Sequence, residues 1–111
     1  MKISTKSRYA VMALADIARF KNNEPISLRD ISTRQGISLL YLEQLFLKLK
    51  KNEIVKSIRG KKGGYTLNKK PNEIKISEIF VSVDGIDYQS QKKIIFFYQN
   101  WATKSKYFKF T

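Results

Sequence analysis

The chain has 111 residues, and its 22 lysines and arginines stand against 9 aspartates and glutamates, a formal charge of +13. That length supports one small domain with one core, and the charge excess favours a polyanionic partner, either nucleic acid or an anionic membrane surface. With no cysteine and no histidine, disulfides, thiolate metal sites and Ser/His or Cys/His nucleophile systems are excluded.

The commonest general base and metal ligand is therefore missing, and the remaining carboxylates are scattered. No enzyme chemistry, metal or other cofactor is expected. The apolar runs are far shorter than a bilayer crossing needs. Asp16 and Arg19 interrupt the first apolar stretch, which argues against a signal peptide. The expectation is a cytoplasmic protein.

The stretch STKSRYAVMALADIARF, residues 4–20, has the period of a helix. Ser4 or Thr5 can cap it. Val11, Leu14, Ala15 and Ala18 fall on one stripe, with Ala10 and Ile17 at its margin. NNEP at 22–25 is a turn. Ser27 opens a short second helix with a capping-box pattern, Asp30 standing in for Glu. Leu28, Ile31 and Ile37 are expected to face inward, and Gly36 to end this helix. Ser38 caps a third helix running to about Asn52. Leu42, Leu45, Phe46 and Leu49 sit at i, i+3, i+4 and i+7, a buried face. Two helices separated by about three residues with a glycine form a helix-turn-helix pattern.

EIVKSIR then reads as an alternating strand, GKKGG as a turn and YTL as a returning strand. After a turn at PNE, a short fourth helix is expected within IKISEIFVSVDG, with Ser77 as its cap and Ile79, Phe80 and Val83 inward. Past Gly85 the pattern changes. The last 26 residues hold eight of the fourteen aromatics and a continuous IIFFY run. The division expected is a domain over 1–85 and a divergent tail over 86–111, read as a truncation or frameshift of a longer regulator or as a short alternative C-terminus. An apolar run of this kind can bury itself against a second copy of the chain.

The fold expected is a winged helix-turn-helix, mainly α with a small β-hairpin. In that layout a helix enters a groove and the hairpin grips flanking backbone. Nine basic residues lie between Lys48 and Lys70, opposed only by Glu53. Attraction to phosphate is independent of base sequence, so this cluster supplies affinity rather than choice of site. The bland alternative is a solvated, solubilising face. Its confinement to one hairpin and the helix before it favours contact with nucleic acid. Membrane binding fits less well, because the charge does not run along one face of an amphipathic helix.

On the third helix Leu40, Gln44, Leu47 and Lys51 lie opposite the buried stripe, with Tyr41 and Lys48 flanking and Glu43 at the edge. Gln can pair with adenine, Glu can accept from cytosine, and Leu can touch a thymine methyl; Glu43 fits a plain surface carboxylate equally. In the hairpin, Arg59 suits a narrow minor groove. Gly60, Gly63 and Gly64 let the tip turn and approach a phosphate, while Lys61 and Lys62 add charge. Two readings stand for Lys6 and Arg8 in the first turn of helix one, where the dipole disfavours cations. A phosphate bound at that helix end accounts for them, or the effect is too small to need a cause.

The stretches STKSRYAVMALADIA, ISLRDISTRQGIS, YLEQLFLKLKKNEIVKSIRG, GGYTL and EIKISEIFVSVDG resemble the IscR-type family of winged-helix transcription regulators over about residues 1–85. The resemblance implies a homodimer on a pseudo-palindromic operator in double-stranded DNA. It assigns Leu40, Tyr41, Glu43 and Gln44 to the major groove and Arg59 to the wing tip. Ser4, Lys6, Arg8, Ser38 and Lys56 become backbone contacts. Three departures stand out. The cluster-binding cysteines are absent, Lys61 and Lys62 replace a Pro and a Gly in the wing, and the segment from Ile86 does not resemble a dimerisation helix. The expected function is a sequence-specific regulator, acting as a repressor and carrying no iron–sulfur cluster. The alternative is a decayed or protein-interaction module with weak DNA binding.

Overall fold

A computed structural model describes residues 4–20 and 24–85. In chain order it contains α1 (Thr5–Ala18), α2 (Leu28–Gln35), α3 (Leu39–Lys51), β1 (Val55–Ile58), β2 (Gly64–Leu67), a single 3-10 turn (Pro71–Glu73) and α4 (Ile76–Asp84). This is the winged helix-turn-helix. The expected tail over 86–111 lies outside the described residues. Among the described residues, no helix is long and apolar enough to cross a membrane.

Each of the first three helices starts on a serine whose hydroxyl accepts a backbone N–H. Ser4 accepts from Ser7 at 3.0 Å, Ser27 from Asp30 at 3.1 Å and Ser38 from Tyr41 at 3.4 Å. These caps satisfy donors that a helix start leaves unpaired. The fourth helix departs from expectation: its N-cap is Lys75, with no side-chain cap, and Ser77 lies inside the first turn. Ile74 and Ile76 are both fully buried, so packing at that entry sets the start of α4 in place of a capping hydroxyl.

Helix α1 buries Ala10, Val11, Ala13, Leu14 and Ile17, whereas Ala15 and Ala18 are half-buried. The inward face is thus broader than the expected stripe and turned from it. The cause is position: α1 packs against α2, α3 and α4, and a helix touched from several sides buries more than one narrow face. Helix α3 buries Leu42, Leu45, Phe46 and Leu49, as its period implies.

The connection between α2 and α3 depends on Gly36. Its φ of 65° is left-handed, and its N–H donates to Ser32 O at 2.9 Å. That geometry costs glycine least. The Ser32 hydroxyl donates to Ile37 O at 2.5 Å, fixing the turn from the helix side. At the other end of α3, Glu53 takes a left-handed φ of 60° without being glycine. The Asn68 side-chain amide donates to the Glu53 carbonyl at 2.9 Å, clamping this bend from the far end of the hairpin.

Strands β1 and β2 pair antiparallel, from Val55 opposite Leu67 to Ile58 opposite Gly64. Ile26 adds a bridge to the outer edge of β2, exchanging backbone hydrogen bonds with Tyr65 at 2.9 and 2.8 Å. The alternation expected in β1 does not hold: Val55 is buried and the next three residues are exposed. The returning strand touches the body along its length, through Gly64, Tyr65 and Thr66, whereas the tip between the strands projects without a covering layer.

The first two helices are held in register by one carboxylate. Asp16 is fully enclosed. It accepts from Arg34 Nη2 at 2.6 Å, Arg34 Nε at 3.0 Å and Gln35 Nε2 at 2.8 Å. Burial pushes its pKa up. The hydrogen bonds from Arg34 and Gln35, with the Arg34 and Arg19 charges, outweigh that and hold it below the ordinary value. A fork of this kind fixes distance and direction together. Removing the exposed partner strands the buried Asp16 charge, so Arg34→Ala is expected to lower unfolding stability by roughly 3 kcal/mol, read from urea titration. Because the folded pKa is the lower one, the contribution of Asp16 is complete above its unfolded value of about 3.9. It is lost as pH falls through the folded value. Stability curves of wild type and variant should therefore converge at low pH.

Candidate nucleic-acid interface

Burying one stripe of α3 leaves the opposite side in solvent. Leu40 and Leu47 are 65% and 67% exposed, and Glu43, Gln44 and Lys51 are exposed beside them. Two large apolar side chains left this open on a well-packed helix cost hydration without any return among the described residues. Together with Gln44 and Glu43 they form a surface of mixed hydrogen-bonding and apolar groups, the chemistry that base edges present in the major groove.

Two flanking residues sit differently from expectation. Tyr41 is half-buried, its ring meeting that of Tyr9 edge-on with centroids 5.6 Å apart. Burial, then the nearby charge of Asp84, then Tyr9 raise the pKa of its phenol. Tyr41 therefore joins α3 to α1 and does not extend the exposed row. Lys48 turns towards α4, donating from Nζ to Val83 O at 3.3 Å, and the Ser82 hydroxyl donates to Lys48 O at 3.0 Å. Its charge neutralises the carbonyl end of α4.

The start of α1 carries a feature absent from the sequence expectations. Asp84 at the end of α4 accepts hydrogen bonds from the Ser4 and Ser7 hydroxyls. Ser7 is buried and Asp84 half-buried. A carboxylate from the same chain thus already meets the positive end of α1, where one of the two readings placed a bound phosphate. Lys6 and Arg8 remain exposed, with the Arg8 guanidinium 5.4 Å from the centre of the Tyr9 ring. Ser4 and Ser38 are engaged as caps, so any backbone contact they make is shared with that role. Ser7 had a signal in the sequence, since it precedes Ala10 and Val11 on the inward face by three and four residues. Asp84 had none beyond its place before a capping glycine.

The wing residues Lys56, Arg59, Gly60, Lys61 and Lys62 are all exposed. The ion pairs among the described residues join Asp16 to Arg34 and Arg19, and Lys69 to Glu78. Charge on the hairpin tip and on Lys50 and Lys51 therefore has no carboxylate partner among these residues, and a polyanion would meet it uncompensated. Pairing register puts Val55, Ser57, Tyr65 and Leu67 on one hairpin face and Lys56, Ile58 and Thr66 on the other. The first face meets α3 through Tyr65, whose ring lies 4.9 Å from that of Phe46. Lys56 thus projects from the side of the hairpin turned away from Phe46.

The sequence matches the Rrf2 family, described as iron-dependent transcriptional regulators, over residues 3–98. The chain belongs to the Rrf2 family. It is 51% identical over 84 residues to the HTH-type transcriptional regulator IscR of Photorhabdus laumondii, a match covering 76% of this chain and 51% of that protein. Among solved structures it is similar to CymR, the global cysteine regulator of B. subtilis. That match has a TM-score of 0.74 and 38% identity, and covers 78% of this chain and 67% of the other. IscR of T. potens gives a TM-score of 0.72 at 37% identity, covering 94% and 78%. The chain spans about half the length of the curated relatives it matches. The family match also runs past Gly85, where the resemblance read from the sequence stops.

The family description implies iron, and the donor set of this Rrf2-family chain does not fit it. Its 111 residues include no cysteine and no histidine. Among the described residues no three carboxylates cluster closely enough to hold a metal ion.

The wing is positioned by contact between backbones. A Cβ on Gly64 would collide with the backbone carbonyl of Ile26. Gly64→Ala should therefore break the Ile26–Tyr65 bridge and destabilise the domain by about 1–3 kcal/mol. Hydrogen exchange should show the Tyr65 and Ile26 amides losing protection before those of α1; unchanged protection there would contradict the account.

Proposed function

We propose that this chain is a sequence-specific regulator of transcription that binds double-stranded DNA and acts as a repressor. The observation that carries the reading is the exposed row of Leu40, Glu43, Gln44 and Leu47 on α3, followed in the chain by a hairpin whose basic tip has no carboxylate partner among the described residues. In this reading α3 lies in the major groove, where Gln44 and Glu43 discriminate bases and Leu40 meets a methyl group. Arg59 enters the adjacent minor groove. Lys61, Lys62 and the Gly60 backbone hold phosphates, with Lys6, Arg8, Ser4, Ser38, Lys48 and Lys56 as lesser backbone contacts. The family relationship supports a homodimer on two half-sites about one helical turn apart. A DNA-bound role also supports a cytoplasmic location.

Selection of bound duplexes from a random pool gives the operator, and variants then separate the roles. Gln44→Ala should relax base choice at one or two positions by roughly 1–3 kcal/mol. Lys61→Ala should weaken all duplexes alike and reduce the salt slope by about 0.9 for each phosphate that is no longer neutralised. The division of roles fails if Lys61→Ala changes base preference while Gln44→Ala does not.

The regulator is further proposed to work without an iron–sulfur cluster held by these residues. Protein purified without oxygen should show no iron-dependent visible absorbance. Stoichiometric iron in that preparation would overturn this part of the reading.

A further inference from the structure

An open pocket of about 520 Å³ lies between the end of α1 and the side of the hairpin turned away from Phe46. Its composition is unlike the DNA-facing row. Phe20 and Ile58, both 39% exposed, supply apolar surface there. The Phe20 ring is not held by the core: the Arg34 and Arg19 guanidinium carbons lie 4.9 and 5.5 Å from its centre. Among the described residues, three lysines border the pocket, Lys56, Lys69 and Lys70, with one carboxylate, Glu24. Lys69 is engaged with Glu78 at 3.5 Å. Lys56 and Lys70 have no ion-pair partner among the described residues.

A second observation points to the same place. Thr66 borders the pocket and is only 8% exposed, yet its Oγ1 is enclosed without any hydrogen-bond partner. It is the enclosed side-chain oxygen or nitrogen left unsatisfied among the described residues. A buried hydroxyl without a partner costs free energy that an apolar side chain of the same shape would not. A one-step χ1 rotation that turns the oxygen to the pocket side would let an occupant accept from it.

We propose that this pocket is a binding site for a small organic anion. The anionic head lies between the Lys56 and Lys70 ammonium groups and accepts a hydrogen bond from Thr66, while the apolar body rests on Phe20 and Ile58. The head requires the cations and the hydroxyl; the body requires the two open apolar side chains, which an inorganic anion would leave in water. The site lies on the hairpin face opposite the one that meets α3, so it is distinct from the proposed base-reading surface. The proposal stands whether or not the chain binds DNA.

The test uses the full chain, labelled with ¹⁵N and titrated with benzoate and with phenyl phosphate while amide spectra are recorded. Inorganic phosphate and benzyl alcohol serve as the head-only and body-only controls. Both organic anions should shift the Lys56, Ile58 and Thr66 amides saturably, with at least tenfold tighter binding than either control. Thr66→Val, which keeps the shape and should fold, is expected to weaken binding roughly ten- to a hundredfold, the value of one hydrogen bond to a charged group. The exposed Lys70→Gln should weaken it further without altering the rest of the spectrum. The proposal fails if neither organic anion binds, or if inorganic phosphate binds as well as they do, since lysines alone then suffice. It fails equally if the shifts fall on α3, since the anion then sits on the proposed base-reading surface.

Discussion

Helix α3 has one circumference and two obligations. Leu42, Leu45, Phe46 and Leu49 must leave water, and they do so completely or nearly so. Burying that stripe determines which residues remain outside, because side chains on a helix cannot be repositioned independently. Leu40, Glu43, Gln44 and Leu47 are therefore presented as a consequence of core packing. The hydrophobic effect that folds the domain also decides which side chains α3 presents to solvent.

Aiming α3 requires that it be held from several directions, and the holds differ in kind. The Asp16 fork orients α2 against α1, and Gly36 sets the bend into α3. Tyr41 ties the start of α3 to α1 through Tyr9, and Lys48 ties its middle to the end of α4. Two residues whose chemistry suits DNA thus serve first to hold the helix still. A recognition surface benefits from this, since side chains already fixed by packing lose less freedom on binding. Asp84 adds a further constraint by bringing the end of α4 to the start of α1.

The hairpin is governed by a different balance. Its returning strand is pinned by backbone bonds to Ile26 and by the Tyr65 ring, while the tip between the strands carries charge and almost no packing. That arrangement suits long-range attraction to phosphate, which depends on charge more than on fixed geometry. The two faces of the hairpin are also unequal. One is committed to α3; the other leaves Lys56 and Ile58 exposed beside the buried Thr66.

Much of this was legible in the chain itself. The order of elements, the buried stripe of α3, the capping serines, Gly36 and the uncompensated wing all follow from local rules: helical period, capping chemistry and charge counting act over a few residues and leave local traces. Tertiary structure alone decided the rest. The breadth of the face that α1 buries, the start of α4 at Lys75, the lost alternation in β1, the inward lean of Tyr41, the tether on Lys48 and the placement of Asp16, Asp84 and Thr66 all depend on residues far away in sequence. Whether a polar group is buried, partnered or left alone is set by what the fold brings beside it, and no local pattern records that.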